Sequence, residues 1–147
     1  MRNNDQILET MNYWIRAYNH RRFRVADFIR DYGFIDWGMR NRFEVGDIIF
    51  LYATAPESRI TFMMEITKVG MTCEDIAKDD AYYLSQQYYD EWLAHKHDHL
   101  YARYTFLKEL KTPMLSLERL REHGLTGAPR SPRKLWPETV EYVLENV

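Results

Sequence analysis

The chain has 147 residues, 46% of them apolar, and a formal charge of −2. That is length for one core and little for a second, too apolar for intrinsic disorder, and too near neutral for non-specific nucleic-acid coating. A lone cysteine, Cys73, excludes an internal disulfide, and with no apolar leader and no run of membrane-spanning length a cytoplasmic setting and no membrane partner are expected.

In chain order, residues 1–11 are mostly polar and read as a frayed arm or a short helix. Residues 12–18 read as the first strand, with Tyr13, Ile15 and Ala17 on one face and Trp14, Arg16 and Tyr18 on the other. Asn19 and His20 open a polar turn. Residues 23–32 carry Val25, Ala26, Phe28 and Ile29 at amphipathic helical spacing, and Gly33 can end that helix. Residues 34–42 hold Asp36, Trp37, Gly38, Arg40 and Asn41, a mixed stretch that reads as an irregular connector.

Val45-Gly46-Asp47 reads as a tight turn into residues 48–53, a β-branched and aromatic run suited to a buried strand. After Thr54-Ala55-Pro56-Glu57-Ser58, apolar Ile60, Phe62, Met64 and Ile66 alternate with Thr61, Glu65 and Thr67, broken only by Met63. The pair predicts a central hairpin with one wet face, whose polar connection lies at a sheet rim, a place where stiff scaffolds hold binding residues.

Thr72 and Asp75 have the spacing of a helix start. Residues 82–95 form a second helical candidate, rich in Tyr and carrying Trp92, and residues 99–110 return to strand alternation. Ser116 can cap a short helix ended by Gly124, with Leu115 stapled onto Leu120. Residues 124–135, GLTGAPRSPRKL, fix a non-repetitive path from which arginines project, and Pro137 opens a closing helix over about 137–146. No internal repeat or low-complexity tract interrupts this order. The expected fold class is therefore α+β: a small, mostly antiparallel sheet or barrel decorated with short helices, as one domain over 1–147.

Charge is unevenly spread. Residues 16–42 hold seven arginines against three aspartates, residues 119–134 hold five cations against Glu122, and residues 74–98 hold seven carboxylates against two lysines. Such a dipolar chain can turn one cationic face to phosphates, although clusters of this size also occur on ordinary solvated surfaces.

Enzyme signatures are absent from the sequence: there is no glycine-rich phosphate loop and no Gly-x-Ser-x-Gly elbow, and Cys73 has no local setting that marks a nucleophile. The neighbours Asp79 and Asp80 need not converge on one substrate. If the backbone from Lys96 to His99 were extended, His95, His97 and His99 would share one side and could hold zinc. A tolerated polar junction is the plainer reading, and neither metal nor cofactor is expected.

The aromatic residues make a better case. Trp14 and Trp37 lie in the basic N-terminal half, and Tyr52 ends the first central strand just before Ala55-Pro56. A planar base can stack between such faces while Asn19, Asn41 or Ser58 reads its edge, and Arg21, Arg22, Arg40 and Arg59 can meet the flanking phosphates. Against this stands the ordinary fate of Trp and Tyr, which is the core.

Several segments together resemble the EVE domain, a PUA-like fold related in architecture to the YTH modified-base readers. They are Tyr13-Trp14-Ile15 with Asn19; Ile35-Asp36-Trp37 with Arg40, Asn41 and Phe43; Val45-Gly46-Asp47-Ile48 through Tyr52; and Ala55-Pro56-Glu57-Ser58-Arg59-Ile60. Leu117-Glu118-Arg119-Leu120 and Gly124 to Arg130 match the tail of a bacterial subgroup, so the resemblance spans about 12–135.

The resemblance implies a small barrel that takes a flipped, modified, often cytosine-derived base such as 5-methylcytosine into an aromatic pocket, here as a stand-alone reader rather than an enzyme. It makes Trp14, Trp37 and Tyr52 pocket walls and Asn19 and Ser58 edge contacts, in a base pocket that also takes in Asn41 and Pro56, with modified DNA as the partner and RNA as the alternative. Arg130 and Arg133 stand where the family's tail diverges, and both nucleic-acid contact and structural packing remain open for them. An enzyme acting on a modified base, and a protein-interaction module using the surface between Tyr82 and Trp92, are the alternatives.

Overall fold

The first strand, β1 (Tyr13–Tyr18), alternates as expected, and both of its faces are covered. Tyr13 and Ile15 enter one core cluster and Trp14 and Tyr18 the other, so the sheet is the middle layer between two cores. The structure, a computed structural model, describes residues 12–76 and 80–147; the arm expected over 1–11, and Asp79 of the Asp79-Asp80 pair, lie outside these.

After the turn at Asn19, α1 (Val25–Tyr32) lays Val25, Phe28 and Ile29 onto the sheet and ends at Gly33. Gly33 has φ +75°, a conformation that glycine adopts without the Cβ clash, and its amide donates to the Ile29 carbonyl. The next stretch departs from expectation. Residues 34–39 are not a connector but a strand, β2 (Phe34–Met39), antiparallel to the later β5 (Leu100–Glu109).

The mixed polarity that disguised β2 is the alternation of a strand whose polar positions have cross-strand partners. Asp36 lies opposite Arg103, whose guanidinium donates two hydrogen bonds to it at 2.8 and 3.0 Å. Gly38 makes room for His99, since a Cβ there would come within 2.5 Å of the imidazole.

The central hairpin forms as predicted from β3 (Ile48–Ala53), buried along its whole length, and β4 (Arg59–Met71). Its faces differ from the simple reading. The register shifts between Leu51 and Tyr52, leaving Thr61 as an extra residue, so Ile60 turns into the second cluster while Phe62, Met64 and Ile66 face the first. Met63 packs against the second cluster. What looked like a broken wet face is a partly covered one, with Thr61 buried and Met63, Glu65 and Thr67 half-buried.

Beyond β4, Thr72 and Asp75 make a turn rather than a helix start: the Thr72 amide and hydroxyl both donate to the Asp75 carboxylate at 3.0 Å. A 3-10 turn (Asp80–Tyr82) precedes α2 (Gln86–His95), which begins at Ser85, later than the predicted 82. After β5 come a 3-10 turn (Pro113–Leu115) and α3 (Leu117–Glu122), capped by the Ser116 hydroxyl accepting from the Arg119 amide. The short β6 (Arg133–Lys134) and α4 (Pro137–Glu145) complete the chain. Leu115, Leu120, Val140 and Val143 are buried together beneath the second face.

The strand order is β2-β5-β4-β3-β1-β6. All ladders are antiparallel except β1 with β3, which are parallel because α1 and β2 form the crossover between them. The expected barrel is thus corrected to an open mixed sheet: among the described residues no ladder joins the edge strands β2 and β6. Further register shifts in the β4–β5 ladder add curl.

Candidate nucleic-acid interface

In a flat sheet β1 would lie four strand spacings from β2, roughly 19 Å away. Instead the guanidinium carbon of Arg16, on β1, lies 4.3 Å from the centre of the Trp37 ring, on β2, and Nη1 of Arg16 donates to the Tyr104 hydroxyl of β5 at 3.0 Å. The sheet curls until side chains meet across its open side. That seam is closed by side chains rather than by backbone.

A cleft of about 410 Å³ opens there, lined by Arg16, Tyr18, Asn19, Arg22, Phe23 and Trp37. This falls within the range of small-ligand sites. Trp37 is half-buried and meets Tyr104 edge-on, with ring centres 5.1 Å apart, so its position is set by the core. The Asn19 carboxamide oxygen accepts from the Arg21 amide at 2.9 Å, which fixes the turn leaving β1. The Tyr18 hydroxyl is shared with Thr61 at 2.7 Å, and burial raises its pKa, keeping it a neutral phenol. In the same turn, Nδ1 of His20 is buried without a hydrogen-bond partner among the described residues.

The electrostatics are cationic. Arg24 and Arg30 are paired with Asp27, whereas Arg16, Arg21 and Arg22 form no ion pair among the described residues. Arg22 and Arg21 are exposed, and the Arg22 guanidinium lies 5.2 Å from the centre of the Tyr88 ring. On the other side of Trp37 and Phe23 a smaller cleft of about 200 Å³ is lined by Tyr83, Trp92, His99 and Tyr101 with Asp36. Its acidic member is neutralised: the Asp36 carboxylate is 3% exposed and paired with Arg103, whose own pKa is raised by those hydrogen bonds.

Of the expected base-contacting residues, Trp37 and Asn19 therefore share one cleft, with Arg22 beside them. Others do not reach it. Trp14 is 6% exposed, held edge-on to Phe43 and donating from Nε1 to Asp47 at 3.0 Å, and Tyr52 is 2% exposed within the second core. Both lie on strands covered on their two sides, so neither is a pocket wall. Pro56 is exposed in the β3–β4 loop, and Ser58 lines a different depression with Ser116, Leu117 and Glu118. The Asn41 amide donates to the Pro132 carbonyl at 3.3 Å, a structural contact.

The arginines divide likewise. Arg59 donates to the Leu110 carbonyl at 2.8 Å and faces Glu57, and Arg133 donates to the carbonyls of Thr126 and Gly127, so both are used inside the fold. Arg40, just past β2, and Arg130 are exposed. The three histidines diverge because Lys96 is helical rather than extended: His95 pairs with Asp98, His97 turns to Cys73, and His99 lies against Gly38.

Sequence reasoning did not place Arg16, Phe23 or Tyr101 at a cleft, gave Tyr83 and Trp92 to a protein-interaction surface and considered His99 only as a zinc ligand; all six line the two clefts. Arg16 carried a signal: a charged residue on a strand face otherwise held by Trp14 and Tyr18 must find a partner or a solvent path.

No protein-family model matches the chain, and no curated relative matches it in sequence. Solved structures do match its fold. An ASCH protein from Zymomonas mobilis superposes with a TM-score of 0.66 at 13% identity, over 90% of this chain and 94% of that one. The human THYN1 protein, solved in complex with DNA containing 5-methylcytosine, superposes with a TM-score of 0.62 at 16% identity, over 91% of this chain and 96% of that one. A Pseudomonas syringae protein gives 0.60 at 18% identity, covering 90% and 97%. At these identities the likeness shows architecture alone: this chain shares the fold of the Zymomonas mobilis ASCH protein and of THYN1.

Proposed function

We propose that this protein is an EVE-type reader of modified nucleic acid, DNA in the first place, that admits a flipped, cytosine-derived base into the cleft at the β1–β2 seam. The observation that carries the reading is the meeting of Trp37, Asn19, Arg16 and Arg22 around one opening. THYN1, which shares the fold and was solved with 5-methylcytosine DNA, supports the choice of partner.

Each residue has a role fitted to its setting. Trp37 offers an indole fixed by Tyr104, and the Arg16 guanidinium makes a cation–π contact with that indole. Asn19, exposed on its turn, reads the base edge. Arg21, Arg22 and Arg40 meet the phosphates on either side.

Stacking contributes about 1–3 kcal/mol per base, and extruding the base costs a few kcal/mol, so phosphate contacts must supply the rest. A buried methyl group adds only about 1 kcal/mol, which makes an edge contact such as Asn19 the stronger source of discrimination. Binding of this kind needs no nucleophile. The protein-module alternative is weakened by the orientation of Tyr83 and Trp92, which line the cleft next to Trp37.

The test is a binding screen of short duplex and single-stranded DNA and RNA carrying different modified cytosines, repeated with Trp37→Ala. The reading expects one modified base to be preferred and that preference to shrink in the variant. Equal losses for every base, modified or not, would take Trp37 out of recognition.

A further inference from the structure

A second cluster of chemically able side chains lies away from the cleft, where the turn after β4 meets the turn between α2 and β5. There Sγ of Cys73 lies 3.2 Å from Nδ1 of His97, and the same nitrogen lies 3.9 Å from a Glu74 carboxylate oxygen. The three donor atoms all fall within 4.8 Å of one another. We propose that Cys73, Glu74 and His97 form a binding site for a divalent, zinc-type cation.

The geometry fits the ion. Tetrahedral zinc with a sulfur at about 2.3 Å and nitrogen or oxygen at about 2.0–2.2 Å sets its ligands roughly 3.4–3.6 Å apart, which the 3.2 and 3.9 Å spacings from His97 to Cys73 and to Glu74 bracket. The donor set also selects the metal class. One thiolate, one imidazole and one carboxylate suit zinc or cobalt(II), whereas calcium and magnesium prefer oxygen alone.

Position favours an ion in a second way. Cys73 and Glu74 are adjacent in sequence, and His97 comes from a turn 24 residues away from Cys73. An ion held by all three ties the end of β4 to the turn before β5. With three protein ligands and Glu74 and His97 largely exposed, a water completes the shell and exchange with solvent is open.

The proposed ion also has a route to the first site. His97 lies two residues before His99, which lines the smaller cleft beside Trp37. Fixing His97 restricts the turn that carries His99. The metal site itself stands or falls independently of nucleic-acid binding.

The experiment is titration of the full reduced chain with cobalt(II), read by absorption, and with zinc, read by calorimetry and by metal content after dialysis. The expected result is one metal per chain with a thiolate-to-cobalt charge-transfer band. Cys73→Ser abolishes that band, and His97→Ala weakens zinc binding by roughly tenfold or more, as loss of a direct ligand should do at least as strongly as loss of a supporting one. Zinc should raise the thermal midpoint of the wild type but not of Cys73→Ser. No charge-transfer band in the wild type, or zinc binding unchanged in His97→Ala, would overturn the proposal; because the triad is at the surface, both variants should fold, and their unfolding curves check this.

Discussion

The two faces of the sheet are built from similar residues and finished differently. The second face, with Tyr13, Phe50 and Tyr52, is covered by α3, α4 and the turn carrying Leu115, and those rings are buried. The first face has α1 over part of it, and where β1 and β2 curl toward each other the remaining gap is bridged by Arg16 and Trp37. An aromatic residue becomes available to a ligand here because of what fails to cover it. Trp14 and Trp37 illustrate this on one face: Trp14, on a strand flanked by β3 and β6, is core, while Trp37, on the edge strand, is half-exposed.

The sharpest way to break this contrast is to remove one ring from each face. Phe50→Ala opens a cavity at a position with no exposure and should cost about 3–5 kcal/mol of stability, measured by urea unfolding, while binding per folded molecule stays unchanged. Trp37→Ala should show the opposite balance: a smaller stability loss and a roughly 5- to 150-fold loss of affinity for the preferred oligonucleotide, the equivalent of about 1–3 kcal/mol of stacking. If Trp37→Ala proved as destabilising as Phe50→Ala, with affinity unaltered among folded molecules, the two faces would not differ in function.

Arg22→Ala refines the picture of the open face. It should weaken modified and unmodified DNA alike and lower the slope of log affinity against log salt by about 1. Arg59→Ala should leave that slope unchanged, because Arg59 is already held by a carbonyl and by Glu57.

The smallest effect belongs to the strap between α1 and the sheet. Two hydrogen bonds from Arg30 hold the Glu109 pKa below its ordinary value of 4.5, so this pair contributes stability above that value and loses it as pH falls through the folded-state pKa. With Arg30 55% exposed, Glu109→Gln should cost under about 1 kcal/mol at neutral pH, and variant and wild type should converge in acid.

Local pattern carried most of the elements. The alternation of Tyr13 to Tyr18, the run of Ile48 to Ala53, Gly33 after α1, and Ser116 and Pro137 before α3 and α4 all act within a few residues, and each element formed near its expected place. β2 escaped because Asp36 is paired with Arg103 and Gly38 makes room for His99, both more than 60 residues away, and nothing nearby announces such neighbours. The bulge at Thr61 escaped for the same reason, since it exists relative to β3.

The site was legible in part. That Trp37, Asn19 and Arg22 could belong to a binding surface followed from residue chemistry and from resemblance, but exposure is decided by what packs on top. Trp14 and Tyr52 have the same chemistry as Trp37 and end in the core. Sequence by itself determined β1, β3, β4 and β5, the four helices and the aromatic and arginine stock. Only the tertiary structure decided that the sheet would stay open and that Arg16 would meet Trp37 across its gap, because both depend on a curl summed over five strands, and that Cys73 would face His97, because that contact follows from the pairing of β4 with β5 rather than from any neighbouring pair of residues.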